Sequence, residues 1–304
     1  MLSSGLILLM LLGQSPQSGK ESDEESLHET VVVTAAKIEQ PLLETISLVS
    51  VVSQSDLLNS PHLTLDDHLR SIPGFNLFRR SSSLVAHPTT QGVSLRGIGP
   101  SGTSRSLVLF GGIPLNDPFG GWVHWNRFPI LLLERVEISR GATSQLYGSS
   151  ALGGTIQLIP RKIQTDTFEL QGQLSAPGSY ELEVFASDVK NDWGYLVAGR
   201  VFDTNGFFVV DSNDRGEVDI PAKSKFQSFF GRLEYKDIHI GVNLFQERRG
   251  NGTRLQKNRS AGQLLEIGVV RPSWNLNFYS QSGVLESDFS KISQGRTTEF
   301  LTAQ

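Results

Sequence analysis

The feature that most constrains this chain is a period-two alternation that begins after Lys162. Tyr180, Leu182, Val184 and Ala186 alternate with Glu181, Glu183, Phe185 and Ser187. Ile238, Ile240, Val242 and Leu244 alternate with His239, Gly241, Asn243 and Phe245, and Trp274, Leu276 and Phe278 with Asn275, Asn277 and Tyr279. Successive side chains of a strand point to opposite faces, so such segments are strands with one apolar side and one mostly polar side. About eight strands follow from this rule. A soluble sandwich and a membrane barrel both satisfy it.

The connections separate the two. Lys236-Asp237 and Arg271-Pro272-Ser273 join strands tightly, whereas ERRGNGTRLQKNRSAG and DTNGFFVVDSNDRGEVDIPAKSK are long. Alternating short and long connections are the asymmetry of an outer-membrane barrel, with short periplasmic turns and long outer loops. On that reading the Ile238 and Trp274 series face lipid, and the Asn275 and Asn277 series face a polar lumen. The first fifteen residues hold a short apolar run, Gly5–Leu12, that fits a secretory signal and is too short to span as a helix. Gly13 and Ser15 are the small residues near its end, although Pro16 follows directly.

Residues 38–162 have another character. Ile46–Val52 reads as a strand. Ser55 is positioned to cap a short helix ending near Asn59, and Thr64 a second one, LDDHLRS, closed by Pro73-Gly74. GVSLRG, SLVLF and TIQLI are further strands, LLLERVEISR mixes a short helix with a strand, and YGSSALGG is a glycine-dense turn. The sum is a small α+β domain with no long helix. Residues 16–37 form an acidic tether, with Glu21, Asp23, Glu24 and Glu25 close together, carrying the β-prone stretch ETVVVTA.

Composition excludes several functions. The chain has no cysteine, which removes disulfides, thiolate metal sites and cysteine nucleophiles. A net charge of −4 gives no basic footprint for nucleic acid. His28, His62, His68, His87, His124 and His239 are scattered without metal-ligand spacing, and no GxSxG or Walker sequence occurs. Asp66-Asp67-His68 reads as a helix surface. The expectation is a protein that is not an enzyme and holds no metal or cofactor.

Five segments in order resemble the TonB-dependent outer-membrane receptors. ETVVVTA looks like their TonB box. LRSIPGF, GVSLRGIGP and SLVLFGGIPLND resemble successive plug motifs, and LERVEISRGATSQLYGSSALGGTIQLIPRK resembles the end-of-plug signature. The chain departs from the pattern at Gly111, where the family usually has Asp, and at Pro160. The resemblance implies an α+β plug followed by antiparallel transmembrane β-barrel strands. The family barrel has about 22 strands around a plugged lumen, so eight imply an incomplete barrel and a fragment.

The resemblance also implies a function. An outer-membrane receptor of a Gram-negative-type bacterium takes up a scarce substrate such as a siderophore-iron chelate, cobalamin or an oligosaccharide. A TonB-type periplasmic protein energises it by gripping Glu29, Thr30, Val31, Val32, Val33, Thr34 and Ala35. The segment is expected to stay unpaired at rest and to borrow a sheet edge from that partner. Substrate contacts are expected from plug loops at Arg79, Arg80, Asn116, Asp117, Trp122, His124 and Trp125, where amides and aromatics hydrogen-bond and stack. Trp122 and Trp125 equally suit packing of plug against wall. Arg96, Arg135 and Arg140 are expected to pair with acidic groups, Glu134 and Glu137 among them. The rivals are an adhesive or structural β-protein, a receptor that only signals, and a non-functional fragment.

Overall fold

The computed structural model describes residues 31–32, 40–44, 48–79, 81–97, 104–141, 143–175, 178–254, 256–271, 273–293 and 296–302. The expected signal segment and most of the tether lie outside them, as do Glu29, Thr30, Val33, Thr34, Ala35 and Arg80.

Two short strands come first, β1 (Val31–Val32) and β2 (Gln40–Pro41), paired antiparallel with Val32 opposite Gln40. The expectation that the box segment stays unpaired is therefore corrected for its two described valines. Val32 is buried. Nearby backbone supplies the partner, because a solitary strand leaves its main-chain groups unsatisfied. Pro41 has no amide to donate, so this ladder is minimal.

Next come β3 (Leu48–Ser53), α1 (Gln54–Leu58), α2 (Leu65–Leu69), β4 (Phe75–Leu77), β5 (Val93–Leu95), β6 (Ser106–Phe110) and β7 (Ile113–Pro114). A 3-10 turn at Ile130–Leu132 leads into β8 (Leu133–Arg140), followed by α3 (Ser144–Tyr147) and β9 (Gly154–Pro160). The cap of α1 is Ser53 and not Ser55. Ser53 Oγ accepts from the Asp56 amide (3.2 Å), and Asp56 Oδ2 accepts from the Ser53 amide (3.0 Å), a reciprocal capping box. The strand ends extended at Ser53, so the helix starts two residues earlier than its serine pattern suggests.

The plug sheet has the order β3-β8-β9-β6-β7, with β6 and β9 parallel and the other pairs antiparallel. Its central strand β9 begins at Gly154, whose φ is +130°. A Cβ there would lie 2.3 Å from the Ser139 carbonyl oxygen and 2.8 Å from Leu95 Cδ1. The second of the paired glycines of YGSSALGG is thus required by backbone conformation and close approach.

The remaining strands are β10 (Thr167–Ser175), β11 (Ser179–Lys190), β12 (Trp193–Phe207), β13 (Ala222–Tyr235), β14 (Ile238–Gly250), β15 (Lys257–Arg271), β16 (Trp274–Ser293) and β17 (Arg296–Thr302). They pair antiparallel in sequence order as an eight-stranded meander. Among the described residues β10 and β17 do not pair with each other, so the sheet is an open wall. The outer connections are shorter than their sequences suggest, because β14 pairs with β15 through Gly250 and Lys257. Lys236-Asp237 is the two-residue turn the sequence indicates.

Ile238, Ile240 and Leu244 are exposed on the outer face, and Asn243 is fully buried on the inner one. The plug seats against that inner face. Phe110 stacks on Phe128 (3.9 Å between centroids), and Phe230 of the wall meets Phe110 edge-on (5.2 Å). Phe185, Leu196 and Leu264 of the wall join the same core as Leu69, Val108 and Ile156 of the plug. Plug and wall therefore share one apolar interior.

Candidate functional site

The site is the seam where plug loops meet the inner wall. Inward positions carry charge there, and desolvated charge requires partners. Arg200 of β12 is 2 % exposed. It pairs with Glu181 and with Glu183 (2.9 Å), and donates to the Leu63 carbonyl of the plug. Glu183 in turn accepts from the backbone amides of Ile130 (3.1 Å) and Leu131 (2.8 Å). Those are the orphan donors that open the 3-10 turn, so a wall carboxylate caps a plug element.

A second group lies on β14. Arg127 of the plug donates to Asn243 Oδ1 (2.7 Å) and Gln281 Oε1 (3.0 Å), while Asn243 Nδ2 donates back to the Arg127 carbonyl (3.2 Å). Burial lowers the Arg127 pKa to about 10, which leaves it charged at neutral pH. Asn126 Nδ2 donates to Glu247 Oε1 (3.1 Å). Arg249 pairs with Glu247 and donates to the plug carbonyls of Ser83 and Ala86 (2.8 Å for the latter).

Beside this group a cleft of about 570 Å³ separates the 115–124 loop from the inner wall. Asn116, Asp117, Trp122 and His124 line it with Arg127 and Gln281. Asn116 and Asp117 also fold the loop. Asn116 Oδ1 accepts from the Val108 amide (2.8 Å), and Asp117 Oδ1 accepts from the amides of Phe119 and Gly120 (both 2.9 Å). Trp122 is buried, and its indole nitrogen has no protein partner.

The other expected contacts lie elsewhere. Trp125 is in the plug core, edge-on to Phe75 and donating to the Gln91 carbonyl (3.3 Å). Arg79 forms a buried ion pair with Asp66 (2.7 Å) and does not line the cleft, so the expectation of a substrate contact there is corrected. The helix surface expected at Asp66-Asp67-His68 is corrected as well. Asp66 and His68 are buried, with Ser83 Oγ donating to Asp66 (2.6 Å). Arg135 pairs with Glu134 and Glu137 as expected. Arg140 instead donates to the Pro73 carbonyl and to Ser50 Oγ. Arg127, Glu183, Arg200, Glu247 and Arg249 were not singled out by the sequence. For the four on wall strands the signal is charge at inward positions of an alternating strand, which also suits a water-filled lumen, and Arg127 lies on a plug loop with no such pattern.

Buried histidines make the plug acid-sensitive. Burial, with Arg127 and Arg249 nearby, pushes the His124 pKa from 6.5 down to about 3. Burial first, then His62 and Arg200, pushes His68 down to about 4. Both are held neutral while their unfolded counterparts protonate below about 6.5, so the unfolded chain binds more protons. Their contribution is complete above pH 6.5 and is lost as the pH falls toward 4 and then 3. The thermal midpoint of the plug should drop through that window in a full-length receptor carrying this chain. His124→Asn should flatten the drop; an unchanged slope would assign it to other groups.

Comparison with known proteins follows the same division of the chain. A family model described as the TonB-dependent Receptor Plug Domain matches residues 41–155. The chain is 29% identical over 214 residues to the vitamin B12 transporter BtuB of Vibrio vulnificus (strain CMCP6), a match covering 69% of this chain and 34% of that one. It thus spans about a third of the length of that curated relative. Its fold is similar to crystal structures of the siderophore receptor PirA from Acinetobacter baumannii (20% identity, TM-score 0.58, 80% of this chain and 40% of that one). The ferric yersiniabactin uptake receptor FyuA from Yersinia pestis is similar too (19% identity, TM-score 0.57, 80% and 42%).

Proposed function

We propose that this chain is the plug and first barrel strands of a TonB-dependent receptor of the Gram-negative outer membrane, serving TonB-energised uptake of a scarce, bulky substrate. The class is a metal chelate or corrinoid, as the names of its relatives indicate, with oligosaccharide as the further member. The observation that carries the reading is the seam itself. A folded plug is bonded into the wall through Arg127, Arg200, Glu183 and Arg249, so passage requires that the plug be moved or unfolded. Work of that kind needs a pull from outside the barrel. The substrate enters at the cleft lined by Asn116, Asp117, Trp122 and His124, a space of ligand size between plug loop and wall.

The pull is applied through the box. A TonB-type partner adds an edge strand to Thr30–Thr34, displacing the two-residue pairing of Val31–Val32 with Gln40–Pro41. Val32→Pro removes a main-chain donor and fixes φ. In the full-length receptor, substrate binding to whole cells should be unchanged and energised uptake reduced to background. Wild-type uptake by that variant would refute the grip; loss of binding as well would point to a folding defect.

A further inference from the structure

The outer face of the wall ends in a row rich in cations, away from the plug and its cleft. Strand register arranges the outer face in rows. One row crosses Trp193, Tyr235, Ile238 and Val269. Ten residues along each strand, a second row crosses Asp203, Lys225, Arg248, Arg259 and Glu286. Ten residues rise ~33 Å along a strand, which at a tilt of ~40° is ~25 Å of height, the apolar band of such barrels. The first row holds the aromatic pair Trp193 and Tyr235 (4.6 Å between rings) beside the two-residue turns. The second row lies at the opposite interface, below the longer connections 208–221 and 251–256.

Like charges directly opposite each other on neighbouring strands are unfavourable, yet Lys225, Arg248 and Arg259 occupy adjacent register positions. Asp203 and Glu286 at the row ends take Lys225 (3.1 Å) and Arg259 (3.2 Å). Arg248 in the middle has no acidic partner among the described residues. Lys223 and Lys257, one step further out, and Arg254 from the loop add to the excess. With the inward-facing Arg249 they rim a cleft of about 620 Å³, seven cations against three carboxylates. A merely solvated rim would mix signs along the row, since exposed pairs gain little and like pairs cost.

We propose that this cleft binds the phosphate groups of a phosphorylated lipid headgroup in the outer leaflet. Arg248 would grip a phosphate in its planar fork, with Lys223 and Lys257 as point charges on either side. The acyl chains would then run down the apolar outer series that includes Leu244 and Ile240, both exposed.

The test uses the full-length receptor in non-ionic detergent, titrated with a bis-phosphorylated diglucosamine lipid and followed by native mass spectrometry. The parent should bind one lipid, and the Lys223→Gln/Arg248→Gln/Lys257→Gln variant should bind at least about tenfold more weakly. Lys236→Gln, at the opposite end, should bind like the parent and controls for loss of a cation outside the cleft. Retained heat-modifiable gel mobility shows that each barrel is folded. The phosphatase-treated lipid should bind the parent no better than the triple variant binds the intact one. Equal binding by parent and triple variant, or by treated and intact lipid, overturns the proposal. Full competition by inorganic phosphate overturns it in favour of a free-anion site.

Discussion

Arg249→Met should loosen the plug from the wall at a cost of about 3–5 kcal/mol, the range for removing one partner of a buried ion pair. The Arg249 side chain is 1% exposed and Glu247 is 3% exposed. Without the guanidinium, Glu247 retains, among the described residues, Asn126 and a neutral His124, whose Nδ1 lies 4.0 Å away. The Ser83 and Ala86 carbonyls lose their shared donor at the same time. Hydrogen exchange of the 81–91 segment in the full-length receptor should accelerate by at least about a hundredfold if two or more tenfold steps of ~1.4 kcal/mol are lost. The variant Arg249→Met/Glu247→Met should recover most of the protection, since an apolar pair replaces a buried ionic one at little cost. Exchange unchanged by the single substitution would show that this pair does not hold the plug.

Glu183→Leu is the second large effect. This carboxylate serves two amides of the plug turn and one guanidinium of the wall. Its loss strands the Ile130 and Leu131 donors in an apolar interior, at ~1–3 kcal/mol each, and leaves Arg200 with Glu181 as its remaining carboxylate. Amide exchange at Ile130 and Leu131 should rise together, and the thermal midpoint should fall. Glu183→Gln keeps one acceptor oxygen and should fall between the parent and the leucine variant. A glutamine variant as damaged as the leucine one would mean that ionic pairing with Arg200, and not capping of the turn, carries the effect.

These two sites explain why the seam was poorly legible beforehand. The β-prone runs of ETVVVTA and SLVLF and the alternation after Lys162 are local properties, readable residue by residue. The glycine at position 154 is legible for the same reason, because a motif repeats whatever the backbone demands. The β1–β2 pairing is not legible there, since the valines announce a strand and nothing about its neighbour. Nor is the burial of Arg79, because an arginine after a turn carries no sign of the Asp66 that faces it.

The sequence alone determined most of the strands, their inner and outer faces, the glycine that admits β9, and the resemblance to plugged-barrel receptors. These follow from short-range sterics and from the two-residue period of a pleated strand. Tertiary structure alone decided which buried charges meet. Arg127 and Asn243 are 116 residues apart, and Arg249 and Ser83 are 166 apart. It also decided that three cations from three strands stand side by side at one height on the outer wall. Each pairing depends on strand register and on how deep the plug seats, and both are set by the whole apolar interior that plug and wall share.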